Sequence, residues 1–183
     1  MVQGIFTRFL VETGRDNGHL DLDAQVRKAK EQPFLRLGYH LGLLLRGREG
    51  GLPDAVELLR LCAKTLPDDV SVRRAFAETL LVAEEWAEAE QEARATLELA
   101  PDDAEAWRCL GFAQEVQGNM LDAIGSYEHA IVAAPKNELA AFALGSLLVE
   151  VGRIPDGIPH LRRAVELQPD NEEFVNALKA VAP

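Results

Sequence analysis

Apolar positions along this chain recur in pairs of large and small residues at a fixed interval. Phe76-Ala77, Leu110-Gly111 and Leu144-Gly145 each follow the last by 34 positions. A second set, Ala55, Ala89, Ala123 and Gly157, keeps the same interval, and Cys62, Thr96, Ala130 and Ala164 follow that set seven residues on. Residues seven apart lie on one helix face, and small ones there let two helices approach closely. The pattern therefore predicts paired α-helices, one pair per interval.

The polar punctuation has the same period. Five of the nine prolines, Pro33, Pro67, Pro101, Pro135 and Pro169, are spaced by 34. Proline in a helix interior costs about 3 kcal/mol, so a periodic proline predicts a periodic break between helices. Two residues after four of them come Asp69, Asp103, Asn137 and Asn171, types that accept hydrogen bonds from the free N–H groups opening a helix. Glu105, Glu138 and Glu172 follow in the first turn, where the helix dipole favours negative charge. Gly118 and Gly152, again 34 apart, suit the left-handed end of the first helix of each pair. Asp54, Glu88, Asp122 and Asp156 open the second helices, with Pro53 and Pro155 just before two of them. Self-similarity at this period marks a repeat array.

These residues resemble the tetratricopeptide repeat, a 34-residue helix–turn–helix unit with a large residue, Leu-Gly, an aromatic, a small residue, another aromatic, Ala and Pro in order. Trp107, Leu110, Gly111, Gly118, Ala123, Tyr127, Ala130 and Pro135 match it, and Gln114 departs where the family has an aromatic. The following unit fits through Leu144, Gly145, Leu148, Gly152, Leu161, Ala164 and Pro169, and the preceding one through Phe76, Ala77, Leu80, Ala89 and Pro101. The unit ending at Pro67 fits through Leu41, Gly42 and Leu45 if one extra residue lies in Arg48-Glu49-Gly50-Gly51. The resemblance implies an all-α fold, a right-handed superhelical solenoid of antiparallel helix pairs. Four units are expected over 34–169 (about 34–67, 68–101, 102–135 and 136–169), with a capping helix over 170–183. Residues 1–33 read as a helical cap or degenerate repeat, with short helices around Ile5–Val11 and Leu20–Lys30. They read alternatively as an apolar arm that pairs with a second copy or a partner.

Charge and chemistry narrow the function. Thirty acids against 19 Lys and Arg give −11, which opposes binding to nucleic acid or to anionic membrane surfaces. There is no run of about 20 apolar residues to span a bilayer. Met1 to Arg8 lacks the pattern of a signal peptide, and Cys62 and Cys109 fall on helices of different units, so a reduced, cytoplasmic protein is expected. His19, His40, His129 and His160 show no metal-ligand spacing, and the glycines around Gly50 lack the Lys-Ser/Thr of a phosphate loop. Ser126 and Tyr127 have no evident base. No enzyme, cofactor or metal is expected.

Function is then expected on the first helix of each unit, which in this family lines the concave face. The resemblance places Arg36, Tyr39 (or Gly38), Leu43 and Arg46 there in the first unit, then Ser71, Arg74, Glu78 and Leu81. Glu105, Arg108, Phe112 and Glu115 follow, and Leu139, Phe142, Ser146 and Val149 close the stripe. In one reading Arg74 and Arg108 pair with Glu78 and Glu105 on a solvated face. In the favoured one, a basic wall including Arg36 leads to an apolar end at Phe112, Leu139 and Phe142. Such a groove suits a peptide or helix carrying acidic residues and apolar anchors. The Lys and Asn clamp of chaperone-tail binders is not matched at Leu43, Ala75, Glu105 or Cys109. The expected function is a non-enzymatic protein–protein scaffold or adaptor. Its alternatives are a homo-oligomeric scaffold assembled through the N-terminal arm, and a chaperone for a secreted protein.

Overall fold

A computed structural model describes residues 34–182, with side chains from Leu37 onward. The expectations for residues 1–33 and for the Arg36 side chain lie outside the described residues. Among the described residues there are nine α-helices and no strand. They are α1 Phe34–Arg46, α2 Leu52–Thr65, α3 Val70–Val82, α4 Trp86–Leu99, α5 Ala104–Val116, α6 Met120–Ala133, α7 Glu138–Glu150, α8 Ile154–Leu167 and α9 Glu172–Val181. This is the all-α class of tandem helix pairs. The chain divides into two compact units, one ending at Glu85 and holding α1–α3, the other beginning at Trp86 and holding α4–α9.

Six of the nine described helix starts have a local cause. Asp69 accepts from the N–H groups of Ser71 and Val72 at 3.0 and 3.1 Å. Asp103 caps Ala106 at 2.9 Å, Asn137 caps Ala140 at 3.0 Å, and Asn171 caps Glu173 and Phe174 at 3.0 and 3.3 Å. Losing such a cap typically costs about 1 kcal/mol. Pro53 and Pro155 occupy the first turns of α2 and α8, where a missing N–H is harmless. Pro159, by contrast, stands inside α8.

The helix ends repeat as faithfully. Gly50, Glu84, Gly118 and Gly152, 34 apart, adopt φ of 71°, 61°, 84° and 83°. In the last three turns the next residue's N–H reaches back to the helix: Glu85 to Leu80 O, Asn119 to Gln114 O and Arg153 to Leu148 O, at 2.7–2.9 Å. That backbone bond closes a Schellman-type end, which requires the left-handed residue. Glu84 meets the requirement without being glycine, at a cost of about 1 kcal/mol.

Close approach fixes the packing. A Cβ added to Gly111 would stand 2.7 Å from the Tyr127 ring, and one on Gly145 would stand 2.8 Å from Leu161 Cγ and 2.9 Å from its backbone N. Gly42 in the first unit bears the same relation to Leu59, at 2.7 Å. The partner lies 16 residues on in the later pairs and 17 in the first, which is where the extra residue expected near Arg48–Gly51 shows. The small positions Ala55, Ala89, Ala123, Cys62, Thr96, Ala130 and Ala164 are all fully buried or within 1 % of it. The second unit's core joins Ala123, Ile124 and Tyr127 to Leu144, Leu147 and Leu148. Its end is closed by Phe174 of α9 against Ala141 and Ala164.

Gly145→Ala is expected to cost about 1–3 kcal/mol, because the new methyl meets backbone that cannot yield. Gly125→Ala, on a helix position with nothing within 4 Å, is expected to add about 0.5–1 kcal/mol. Urea midpoints of the two variants should move in opposite directions; movement in the same direction refutes this packing.

Candidate protein-binding face

In the first unit the face is carried by α1 and α3. Tyr39, half-buried, meets His40 edge-on at 5.1 Å between ring centroids. A shallow cavity of about 210 Å³ opens there, lined by Tyr39, His40, Asp69, Ser71 and Val72. Leu43 is half-buried, and Arg46 donates to Glu78 at 3.1 Å. Arg74 is half-buried and engaged as well. Leu81, expected at the end of this stripe, is buried in the core at 8 % exposure.

In the second unit the face is carried by α5 and α7, which run in the same direction. Their N-terminal ends are tied through one carboxylate. Glu105 accepts from Arg108 Nε at 2.8 Å and from the Asn137 side-chain amide at 2.7 Å, while the Asn137 oxygen caps α7. Midway, Phe112 is 38 % exposed and meets Trp86 edge-on at 5.9 Å. Leu139 is 46 % exposed, and Ser146 and Val149 are half-buried. Phe142 does not stand open: it stacks on Phe174 of α9 at 4.5 Å between centroids.

The C-terminal ends carry a different charge arrangement. Tyr127 Oη donates to Glu115 at 2.6 Å. Burial pushes the Glu115 carboxyl above its ordinary range, the like charge of Glu150 adds to this, and the Tyr127 bond opposes it. Burial also raises the Tyr127 phenol, with its bond to Glu115 second. Among the described residues no cation pairs with Glu115 or Glu150. Neither α5 nor α7 has a basic residue in its last turn.

Two cations of the expected face, Arg46 and Arg108, are engaged by carboxylates of the chain itself. Arg108 is held by Glu105, as the pairing alternative requires. Glu78 is held not by Arg74 four residues away but by Arg46 on the neighbouring helix. The position occupied by Gln114, where an aromatic is usual, is buried, with its side chain 2.6 Å from Ser126 Oγ. That contact gives Ser126 a packing role. Burial pushes the Cys62 thiol up to about 12, which leaves it a compact core residue. Among the described residues no cluster of metal-ligating groups occurs, and no helix is long and apolar enough to cross a membrane.

Residues 74–138 match the family model of the tetratricopeptide repeat. Helix pairs of the right length, glycine-ended first helices and this match coincide. Over 74–138 the chain carries tetratricopeptide repeats. No curated protein sequence matches the chain. Among solved structures, a MamA protein superposes with a TM-score of 0.69 at 18 % identity, covering 80 % of each chain. TTC0263, a thermophilic tetratricopeptide repeat protein of Thermus thermophilus, gives 0.69, 18 % and 80 % of each chain. The first tetratricopeptide domain of Spaghetti (RPAP3), bound to the HSP90 peptide SRMEEVD, gives 0.59 at 15 % identity, covering 62 % of this chain and 90 % of that one.

Two site residues escape the repeat pattern. Tyr127 occupies an aromatic packing position, and nothing in the sequence assigns its hydroxyl to Glu115. Glu150 lies 35 residues after Glu115, one off the period. The signal that was available is an acidic residue in the last turn of two helices that lack a base there.

The raised Glu115 pKa has a defined sign for stability. Folding favours its protonated form, so its contribution is fully present below the ordinary carboxylate value of 4.5 and is lost as pH rises through the folded value. Glu115→Gln, which still accepts from Tyr127, is expected to raise the melting temperature at pH 7. The gain should vanish below about pH 4. A pH-independent effect in thermal melts overturns this account of the site.

Proposed function

We propose that this chain is a non-enzymatic interaction module that binds a helix or extended segment of another protein on the first-helix faces of its repeats. The first unit offers Tyr39, Leu43, Arg46, Arg74 and Glu78, with Arg36 assigned by the repeat pattern alone. The second offers Glu105, Arg108, Phe112, Leu139, Ser146 and Val149, with Phe142 sharing its ring with α9. The observation that carries the reading is the second face. Large apolar side chains stay open there between two polar ends whose geometry is fixed by the chain itself. An interface core of that composition, an aromatic and an aliphatic anchor with a polar rim, is what concentrates binding energy. A tetratricopeptide domain of related fold, that of RPAP3, is bound to an HSP90 peptide, which supports the mode of binding though not the partner. Two buried free thiols fit a cytoplasmic setting.

A photo-crosslinking amino acid at Phe112 should capture a discrete partner in the native cell, whereas the same probe at the exposed Glu128 of α6 should not. Equal labelling from the two positions overturns the reading. A crosslinked dimer of the chain itself from Phe112 alone would identify the occupant as a second copy.

A further inference from the structure

The second face carries charge that no cation among the described residues pairs with. At most other places where a carboxylate stands on the surface with a fixed partner, the chain supplies an arginine: Arg60 to Glu85, Arg94 to Glu90, Arg153 to Asp156 and Arg163 to Glu166. On the face itself, Arg46 and Arg108 answer Glu78 and Glu105. Among the described residues Glu115 and Glu150 have no such arginine. They stand in the last turns of α5 and α7, near enough for the charge of Glu150 to act on Glu115, and the backbone carbonyls there add partial negative charge. Among the described residues the donor to Glu115 is the neutral Tyr127 hydroxyl. At the far end of the face Arg108 is paired with Glu105 at 2.8 Å.

Apolar surface lies beside this charge. Phe112 is one turn from Glu115 on α5, and Val149 adjoins Glu150 on α7. Leu139 lies eleven residues before Glu150, roughly 16 Å along the helix axis. We infer that this face takes a cationic amphipathic segment of a partner protein, with apolar side chains on Phe112 and Leu139 and a lysine or arginine between Glu115 and Glu150. The inference rests on the reading of the face as a protein-binding surface and specifies the partner's chemistry. Charge-assisted hydrogen bonds to two carboxylates at a half-buried place are among the stronger polar contacts available, and arginine's fork can engage both. The same two charges repel an acidic segment, so they select as well as attract. A second copy of this chain, at −11, meets the same repulsion.

A phage-displayed random library of peptides about 16 residues long, enough for about four helical turns, would be panned on the whole chain in dilute salt. Wild type, Phe112→Ala, Glu150→Gln and Glu115→Gln/Glu150→Gln would be compared. The expected wild-type selection is rich in Lys and Arg flanked by apolar residues. Synthetic copies should bind at least about tenfold more weakly to Phe112→Ala and to the double variant, and should weaken as salt is raised. Glu150→Gln alone, on an exposed side chain, should shift affinity in the same direction, which guards against a folding defect at Glu115. Selected peptides that need Phe112 but are acidic, or are indifferent to both Glu changes, overturn the inference and leave the protein-binding reading standing. Peptides indifferent to Phe112 as well overturn both.

Discussion

The contact on which the binding face depends is the Tyr127 ring resting on Gly111. Only the absence of a side chain at Gly111 lets α5 and α6 approach that closely, since any Cβ would lie 2.7 Å from ring carbons. The approach buries Tyr127 completely and carries its hydroxyl through the helix pair to Glu115. A packing constraint in the core thereby determines the polar chemistry at the surface. One period later the same two places hold Leu161 and Val149. Leu161 fills the space over Gly145 as tightly as Tyr127 fills that over Gly111. The steric lock is the same, and the hydrogen-bonded pair has become an apolar one. Since an apolar pair serves the lock equally well, the polar version at Glu115 is not demanded by folding. Departures from local rules that folding does not require are where function concentrates.

The arginines illustrate a competition between inter-repeat stitching and ligand binding. Arg46 to Glu78 and Asn137 to Glu105 both span 32 residues, joining first helices of successive repeats. Exposed pairs contribute no more than about 1 kcal/mol each. Their larger effect is to hold side chains in place and to consume donors that a ligand would otherwise meet. A face whose cations are spent in this way has its remaining field set by whatever acids are left over. In the second unit those include Glu115 and Glu150.

The fold was legible because its cause is periodic. Asp69, Asp103, Asn137 and Asn171 announce helix starts by capping chemistry, and Gly118 and Gly152 announce ends by backbone conformation. Pro159 shows the boundary of that logic: proline punctuates the repeat at five places and yet sits inside α8 at another. The face was less legible. Arg74 and Glu78 have the spacing of a helical ion pair, but Glu78 turns to Arg46 on the adjacent helix, and sequence spacing says nothing of a partner 32 residues away. Leu81 occupies a stripe position by number and is core by burial. Glu150 is one residue off the period, so a search by period passes over it.

The cap at the end of the array decides where the open surface lies. Phe142 occupies a face position, yet α9 brings Phe174 against it, 4.5 Å between centroids, and seals Ala141 and Ala164 beneath. A solenoid must close its last hydrophobic edge in this way, and doing so consumes the apolar end of the face. Phe112, one helix pair further in, and Leu139, three residues before Phe142 on α7, keep 38 and 46 % of their surface in solvent. The carboxylates of Glu115 and Glu150 lie on the same two helices. Closing the array therefore leaves apolar and anionic surface together on α5 and α7, where folding has no further use for either.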